Sequence, residues 1–170
     1  LPGSDTFTAS IWFYPYSTSD TQRIYWGNGT NKLILHIDNN LSQDLGWYVQ
    51  TADGATNYKS TSTTTYNLNE WNHAVLRYNG ALVELFLNGV KDGTTAAATG
   101  YSNSSSLNLG TTYNKSTYWF DGMLDDFRYY NTSLSDKDVI DLYEVKAEVE
   151  ESGILYAKDF VNNVTPAINL

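Results

Sequence analysis

The chain has 170 residues and a formal net charge of −9, which fits one domain with a sizeable core and an acidic surface. That charge repels phosphate backbones and argues against a nucleic-acid partner. No apolar run reaches the roughly 20 residues that span a bilayer, so no membrane span is expected. The absence of cysteine excludes disulfides, thiol catalysis and cysteine-ligated zinc, and it favours a microbial or viral protein over an animal extracellular one.

Short strands separated by turn residues dominate the chain. Residues 6–14 alternate, so the odd positions from Phe7 to Phe13 are predicted to share one apolar face. The Ser/Thr-rich residues 60–65 indicate a polar strand or a loop. Further strands are predicted at residues 24–26, 32–37, 46–51, 106–110 and 118–130.

The clearest local signal is a hairpin. Two apolar runs, residues 71–78 and 81–87, flank Asn79-Gly80, which is typical of a two-residue type I′ turn. Such a turn pairs Tyr78 with Ala81.

The same register places Arg77 diagonally across from Glu84, which predicts an exposed ion pair worth a few tenths of a kcal/mol. Asn88-Gly89 and Asp92-Gly93 predict two further turns.

One helix is predicted over residues 136–143, or as far as Ala147. Ser135 is the expected N-cap, and Leu134 before it should pack on Val139 as a hydrophobic staple. The helix carries an apolar stripe that should dock on the strands, made of Val139, Leu142 and Tyr143.

Two segments resemble the laminin-G-like family of the concanavalin-A-like superfamily. One runs from Trp71-Asn72-His73 to Asn88-Gly89, and the other is FDGMLDDFRYY at residues 120–130, followed by Leu134-Ser135. The opening Leu1-Pro2-Gly3 with Trp12 adds a third, weaker match. The resemblance implies an all-β, two-sheet antiparallel jelly-roll sandwich with one short C-terminal helix.

The resemblance covers residues 1–144, which predicts a sandwich domain there and a C-terminal extension at residues 145–170. Family domains usually have a strand before a segment like residues 6–14. Residues 153–160 (GILYAKDF) have a strand-like pattern. We therefore hypothesise that the extension completes the sheet at the position of the missing strand.

Catalysis is not expected. Glycosidases of the superfamily use two carboxylates spaced along one strand, and no Glu-x-Asp-x-Glu pattern occurs here. The nearest pair, Asp125 and Asp126, is adjacent, so the two side chains of a regular strand point to opposite faces.

Calcium is the one cofactor that the resemblance implies. Related jelly-roll enzymes take an Asp from the matching segment into a structural Ca²⁺ site, which by position is Asp125, and oxygen ligands suit that ion. The alternative is that Asp125 or Asp126 caps a bulge or pairs with Arg128.

Two turn-flanked segments have the composition of a sugar site, in which aromatic faces and hydrogen-bonding side chains occur together. For any one aromatic residue, packing in the core or at its rim is the alternative. The candidate carbohydrate-binding residues are Arg23, Tyr25, Trp26 and Asn28 in the first segment, and Tyr113, Asn114, Tyr118 and Trp119 in the second.

These observations predict a non-catalytic carbohydrate-binding or adhesion module that binds a glycan or glycoprotein. We expect it outside the cell, on a cell surface or on a virion, as part of a larger multidomain or assembled surface protein. The alternatives are a structural or protein-interaction module without a sugar site and, least favoured, a glycosidase.

Overall fold

The computed structural model describes residues 6–28, 33–37, 43–50, 57–97, 106–112 and 115–152. They form two five-stranded antiparallel sheets and one helix, as the jelly-roll prediction requires. The strands are β1 (Phe7–Pro15), β2 (Gln22–Asn28), β3 (Leu33–Ile37), β4 (Leu45–Gln50), β5 (Asn57–Thr61), β6 (Asn72–Tyr78), β7 (Leu82–Leu87), β8 (Val90–Ala97), β9 (Ser106–Leu109) and β10 (Gly122–Tyr130), and the helix is α1 (Asp136–Ser152).

Sheet A has the order β10-β1-β6-β7-β8, and sheet B has the order β5-β4-β3-β2-β9. The core lies between them because alternate side chains of each strand point inward. On β1 these are the odd positions from Phe7 to Phe13, all fully buried, which confirms the predicted face. From sheet B, Leu35 and Trp47 belong to the same buried cluster.

Helix α1 begins at its predicted cap and extends to Ser152, beyond the predicted end. The Asp138 amide donates to Ser135 Oγ at 3.1 Å, and the Ser135 amide donates back to Asp138 Oδ2 at 3.0 Å. This reciprocal capping satisfies two amides and lowers the pKa of Asp138 through its hydrogen bonds from Ser135. The staple is also confirmed, because Leu134 packs against Val139 in a cluster with Val75 and Phe86.

The helix therefore lies on the outer face of sheet A. Tyr143 stacks on Trp12, with ring centroids 5.7 Å apart, and also stacks on His73. Beneath these rings, Ser10 Oγ lies 2.8 Å from His73 Nε2, and both residues are buried. In the described part of the chain, the outer face of sheet B carries no helix.

The hairpin register differs from the prediction. Tyr78 pairs with Val83 instead of Ala81, and β7 begins at Leu82, so the loop has three residues, one more than predicted. Asn79 Oδ1 accepts hydrogen bonds from the amides of Ala81 and Leu82 at 3.0 and 2.9 Å. Because this side chain closes the turn, the type I′ prediction was wrong.

The shifted register changes the predicted ion pair. Arg77 lies directly opposite Glu84, and both side chains are only 7% exposed. Arg77 also donates to the Leu134 carbonyl at 2.7 Å and pairs with Asp136 at 2.7 Å, which ties the start of α1 to sheet A. The prediction of an exposed, diagonal pair was therefore wrong.

Asp92-Gly93 does not form the predicted turn but lies inside β8, where the register with β7 shifts. The Asp92 carboxylate accepts hydrogen bonds from the amides of Thr63 and Thr64, each at 3.0 Å. Burial alone would raise the pKa of Asp92, but hydrogen bonds from the Thr63 and Thr64 hydroxyls, together with those from the two amides, lower it. The carboxylate thus joins β8 at the edge of sheet A to the segment that follows β5 in sheet B.

The predicted extension begins inside α1, which continues past residue 144. The predicted strand at residues 153–160 lies outside the described residues. Within the described residues, helix α1 lacks the length and apolar content that crossing a membrane would require.

Candidate functional site

A bulge in β2 determines which of its residues face outward. The register passes from Arg23 opposite His36 to Tyr25 opposite Leu35, so Ile24 is an extra residue. Ile24 and Tyr25 are both fully buried in the core as a result. Tyr25 packs edge-on against Phe127 there, with centroids 6.0 Å apart, so its prediction as a carbohydrate-binding residue was wrong.

Arg23 precedes the bulge and lies on the outer face of sheet B. Its guanidinium carbon is 5.0 Å from the centroid of the Tyr118 ring, a cation–π contact. Its backbone amide donates to the Tyr118 carbonyl at 3.0 Å. The structure thus brings together one residue from each of the two predicted segments, Arg23 and Tyr118.

Tyr118 lies in a loop that was predicted as the start of a strand. Strand β10 begins only at Gly122, and Tyr118 has a positive φ of 57° that a strand does not allow. Phe120 donates to the Gly110 carbonyl and Gly110 to the Ile24 carbonyl, each at 2.9 Å, so the loop is held against β2. This loop exposes 49% of Tyr118 and 59% of Trp119.

His36 adjoins Arg23 on the same face and was not predicted as a site residue. It is half-buried and pairs with Gly46 on the next strand. A Cβ atom at Gly46 would lie 2.0 Å from His36 Nε2, so the imidazole occupies the space that glycine leaves open. The sequence signal for this contact is a histidine that pairs with a glycine on the next strand. That pairing can be recognised only once the register of β3 and β4 is known.

A second row of positions crosses the same outer face. The register aligns Asn108, Trp26, Ile34, Tyr48 and Lys59 across the five strands of sheet B. The side chains of Trp26 and Asn28, two of the predicted site residues, lie outside what the structure describes. Tyr113 and Asn114, the remaining predicted residues, lie outside the described residues.

Asp125 lies elsewhere, exposed on β10 at the edge of sheet A. Its Oδ1 accepts the Asp126 amide at 2.7 Å, and Asp126 has a positive φ of 48° where the register of β10 with β1 shifts. The Asp126 carboxylate receives two hydrogen bonds from Arg128, at 2.8 and 2.7 Å. This arrangement, a capped bulge with an adjacent ion pair, is the one expected from the alternative to a calcium site.

No group of three or more His, Asp or Glu side chains that could hold a metal occurs among the described residues. A single exposed carboxylate at Asp125 fits a Ca²⁺ site only if backbone carbonyl and water oxygens supply the remaining ligands.

Comparison with known proteins agrees with the two-sheet fold. A family model described as the concanavalin A-like lectin/glucanases superfamily matches residues 1–140. No match was found among curated protein sequences.

Solved structures of similar fold include two domains with a bound oligosaccharide and one pentraxin. The CBM40 of a Ruminococcus gnavus IT-sialidase, bound to α2,3-sialyllactose, has a TM-score of 0.67 at 21% identity, over 81% of this chain and 82% of that chain. Domain 4 of AbnA, a GH43 extracellular arabinanase from Geobacillus stearothermophilus in complex with arabinotriose, has a TM-score of 0.66 at 20% identity, over 84% and 68%. A heptameric SAP-like pentraxin from Limulus polyphemus has a TM-score of 0.66 at 16% identity, over 84% and 71%.

Proposed function

Since this chain belongs to the concanavalin A-like lectin/glucanases superfamily, we propose that it is a non-catalytic carbohydrate-binding module. The observation that carries the proposal is the exposed Tyr118-Trp119 pair, held beside Arg23 on the outer face of sheet B. Two structures of similar fold contain bound oligosaccharides, α2,3-sialyllactose and arabinotriose.

The chemistry of this region suits a sugar. Aromatic faces give the C–H surface of a sugar ring an apolar partner, and Trp119 is the most exposed aromatic side chain among the described residues. The exposed aromatic loop also favours a ligand site over the rival function, a purely structural module, in which the aromatic residues would be buried.

The strands of sheet B support binding without catalysis. None of the residues of β2, β3, β4, β5 and β9 is Asp or Glu. A glycosidase needs a carboxylic acid and a second carboxylate flanking the scissile bond. This face can hold a sugar but supplies no such pair from its own strands.

We expect Trp119→Ala and Tyr118→Ala each to weaken glycan binding at least about tenfold, because an anchoring aromatic residue at a binding site is worth more than 1.4 kcal/mol. A glycan array would identify the ligand, and titration calorimetry would measure the loss. Ile140→Ala, at an exposed apolar position on α1, is the matched control and should bind like the wild type. Unchanged binding by both aromatic variants would show that the site lies elsewhere, and an array without any bound glycan would favour the structural module.

Structural calcium at Asp125 is a separate proposal. If the ion is present, a chelator should lower the melting temperature of the wild type and leave that of Asp125→Asn unaffected. Asp126→Asn is the control: it loses the ion pair with Arg128 but should keep the response to the chelator. A wild-type melting temperature that does not change on chelation would exclude a stabilising calcium ion.

We also propose that the module belongs to a secreted or surface protein. One structure of similar fold is a domain of an extracellular arabinanase, which supports such a setting. Adhesion through a glycan or glycoprotein on another surface follows if the sugar site is confirmed.

A further inference from the structure

We propose that Gln22 is a positioning residue of the sugar site, because its buried side chain holds the loop that carries Tyr118 and Trp119. This inference rests on the proposed function and concerns how that site is kept ready to bind. Gln22 is the first residue of β2 and is only 2% exposed. It lies beneath the surface and therefore acts through the residues that it holds.

Both ends of the Gln22 amide group are used. Its Oε1 accepts the backbone amide of Asp121 at 2.8 Å, and the two residues are 99 positions apart in the chain. Its Nε2 donates to the Ser17 carbonyl at 3.0 Å. These partners fix the orientation of the amide, because the flipped side chain would place N–H against N–H and carbonyl against carbonyl. The side chain thus connects the segment between β1 and β2 to the loop between β9 and β10.

The contact with Gln22 differs in kind from the other hydrogen bonds that hold this loop. The others described for residues 118–121 join backbone to backbone, as where the Tyr16 amide donates to the Asp121 carbonyl at 2.8 Å. Substitution of a side chain leaves such bonds available. Among the hydrogen bonds described for residues 118–121, the bond from the Asp121 amide to Gln22 is the one that depends on a side chain.

The anchor matters for binding because the aromatic residues beside it are exposed. Tyr118 contacts the Arg23 guanidinium, whereas Trp119 is 59% exposed, so its position is set mainly by the backbone. A loop that is already in its binding conformation does not have to be ordered by the ligand, so less of the interaction energy is lost on binding. Gln22 fixes the backbone two residues after Trp119 and thereby prepares the loop for a sugar.

Gln22→Met tests the role of the hydrogen bonds, because methionine has a similar length but neither the donor nor the acceptor. The probe is the glycan that gives the strongest signal on an array, and titration calorimetry measures its affinity. We expect Gln22→Met to weaken this affinity about fivefold or more. Hydrogen exchange should become faster in a peptide that covers residues 115–123 and should stay close to that of the wild type in β6.

Ser62→Ala is the matched control. Ser62 is also buried, accepts the Leu45 amide at 2.9 Å and donates to the Thr64 carbonyl at 2.7 Å. It follows β5, at the opposite edge of sheet B from the aromatic loop. Ser62→Ala therefore loses two comparable hydrogen bonds but should bind the same glycan like the wild type. Circular dichroism would show that each variant is folded.

Gln22→Glu should rescue binding at mildly acidic pH. A buried carboxyl group is neutral there, and it offers one oxygen that accepts and one O–H that donates, which is the pattern of the glutamine amide. At neutral pH the ionised group would face the Ser17 carbonyl and rescue less. Asp20 and Asp121, exposed carboxylates on the two connected segments, are present in every variant, so affinities are compared with the wild type at the same pH.

The outcomes are distinct. If Trp119→Ala loses affinity while Gln22→Met binds like the wild type, this inference is overturned and the proposed function stands. An equal loss in Ser62→Ala would also overturn it, since general loosening of the fold would then explain the effect. Should Gln22→Met fail to fold, Gln22→Glu decides, and a ratio to the wild type that is the same at both pH values would contradict the inference. If no glycan on the array binds, the proposed function and this inference fail together.

Discussion

Glu84→Ala is expected to lower the free energy of unfolding by about 3–5 kcal/mol, because it leaves the charge of Arg77 buried without its main partner. Arg77 Nε and Nη2 donate to Glu84 Oε2 at 2.8 and 2.6 Å, beneath the start of α1. Urea unfolding at neutral pH would measure the loss. Lys137→Ala, which removes a highly exposed ion pair with Asp141 on the same helix, is the control and should change stability little.

The same pair predicts a dependence on pH. Burial would raise the pKa of Glu84, but hydrogen bonds and charges from Lys91 and Arg77 outweigh it and lower the pKa below the usual 4.5. A carboxylate with a lowered pKa in the folded state stabilises the fold above its unfolded pKa. That contribution is lost as the pH falls from about 4.5 through the folded value. The stability difference between the wild type and Glu84→Gln should therefore shrink with acidification below pH 4.5, and a constant difference would contradict the assignment.

Gly122→Ala should be a highly damaging small substitution, with an expected loss of at least about 3 kcal/mol. A Cβ atom at this position would lie 2.1 Å from the backbone oxygen of Tyr14, where β10 pairs with β1. The backbone oxygen cannot move without separating the two strands. Thermal unfolding and soluble yield would measure the effect.

Gly46→Ala is the informative comparison, since its Cβ atom would meet the His36 ring instead of backbone. A side chain can rotate away, so we expect a smaller loss of stability, about 1–2 kcal/mol, together with a changed sheet B face. If Gly122→Ala melts at the same temperature as the wild type, the close approach of β10 to β1 at this point is wrong.

Local patterns predicted the elements well where one physical cause dominated. The alternation in β1 reflects burial of one face, and the Ser135 cap with the Leu134 staple requires only residues close in sequence. The resemblance of residues 120–130 to a known family then identified the sandwich, and the family match confirms it.

Features that depend on contacts between strands were not predictable. The Asn79 side chain accepts hydrogen bonds from the amides of the turn, and the hairpin loop is longer than predicted. The resulting register places Arg77 opposite Glu84, and both side chains are buried. Asp92-Gly93 has the composition of a turn, but the carboxylate is used by Thr63 and Thr64 across the sandwich edge.

The candidate site shows the same division. Residue types in the two loops pointed to Arg23 and Tyr118, which the structure joins. A bulge at Ile24, which the alternation of polar and apolar residues does not reveal, directs the Tyr25 side chain into the core. His36 was missed because its relation to Gly46 exists only after β3 and β4 are paired.

The position of β1 between β10 and β6 in sheet A has a consequence for biosynthesis. Its partners are β6 and β10, so Phe7 pairs with Tyr78 and Thr8 with Tyr130. A nascent chain can form the neighbouring pairs β3-β4 and β6-β7 early, but β1 can pair with β6 only after residue 78 has been made and with β10 only after residue 130. Closing such long loops is slow, so β1, which precedes the other nine described strands in the chain, is among the last to gain both of its partners.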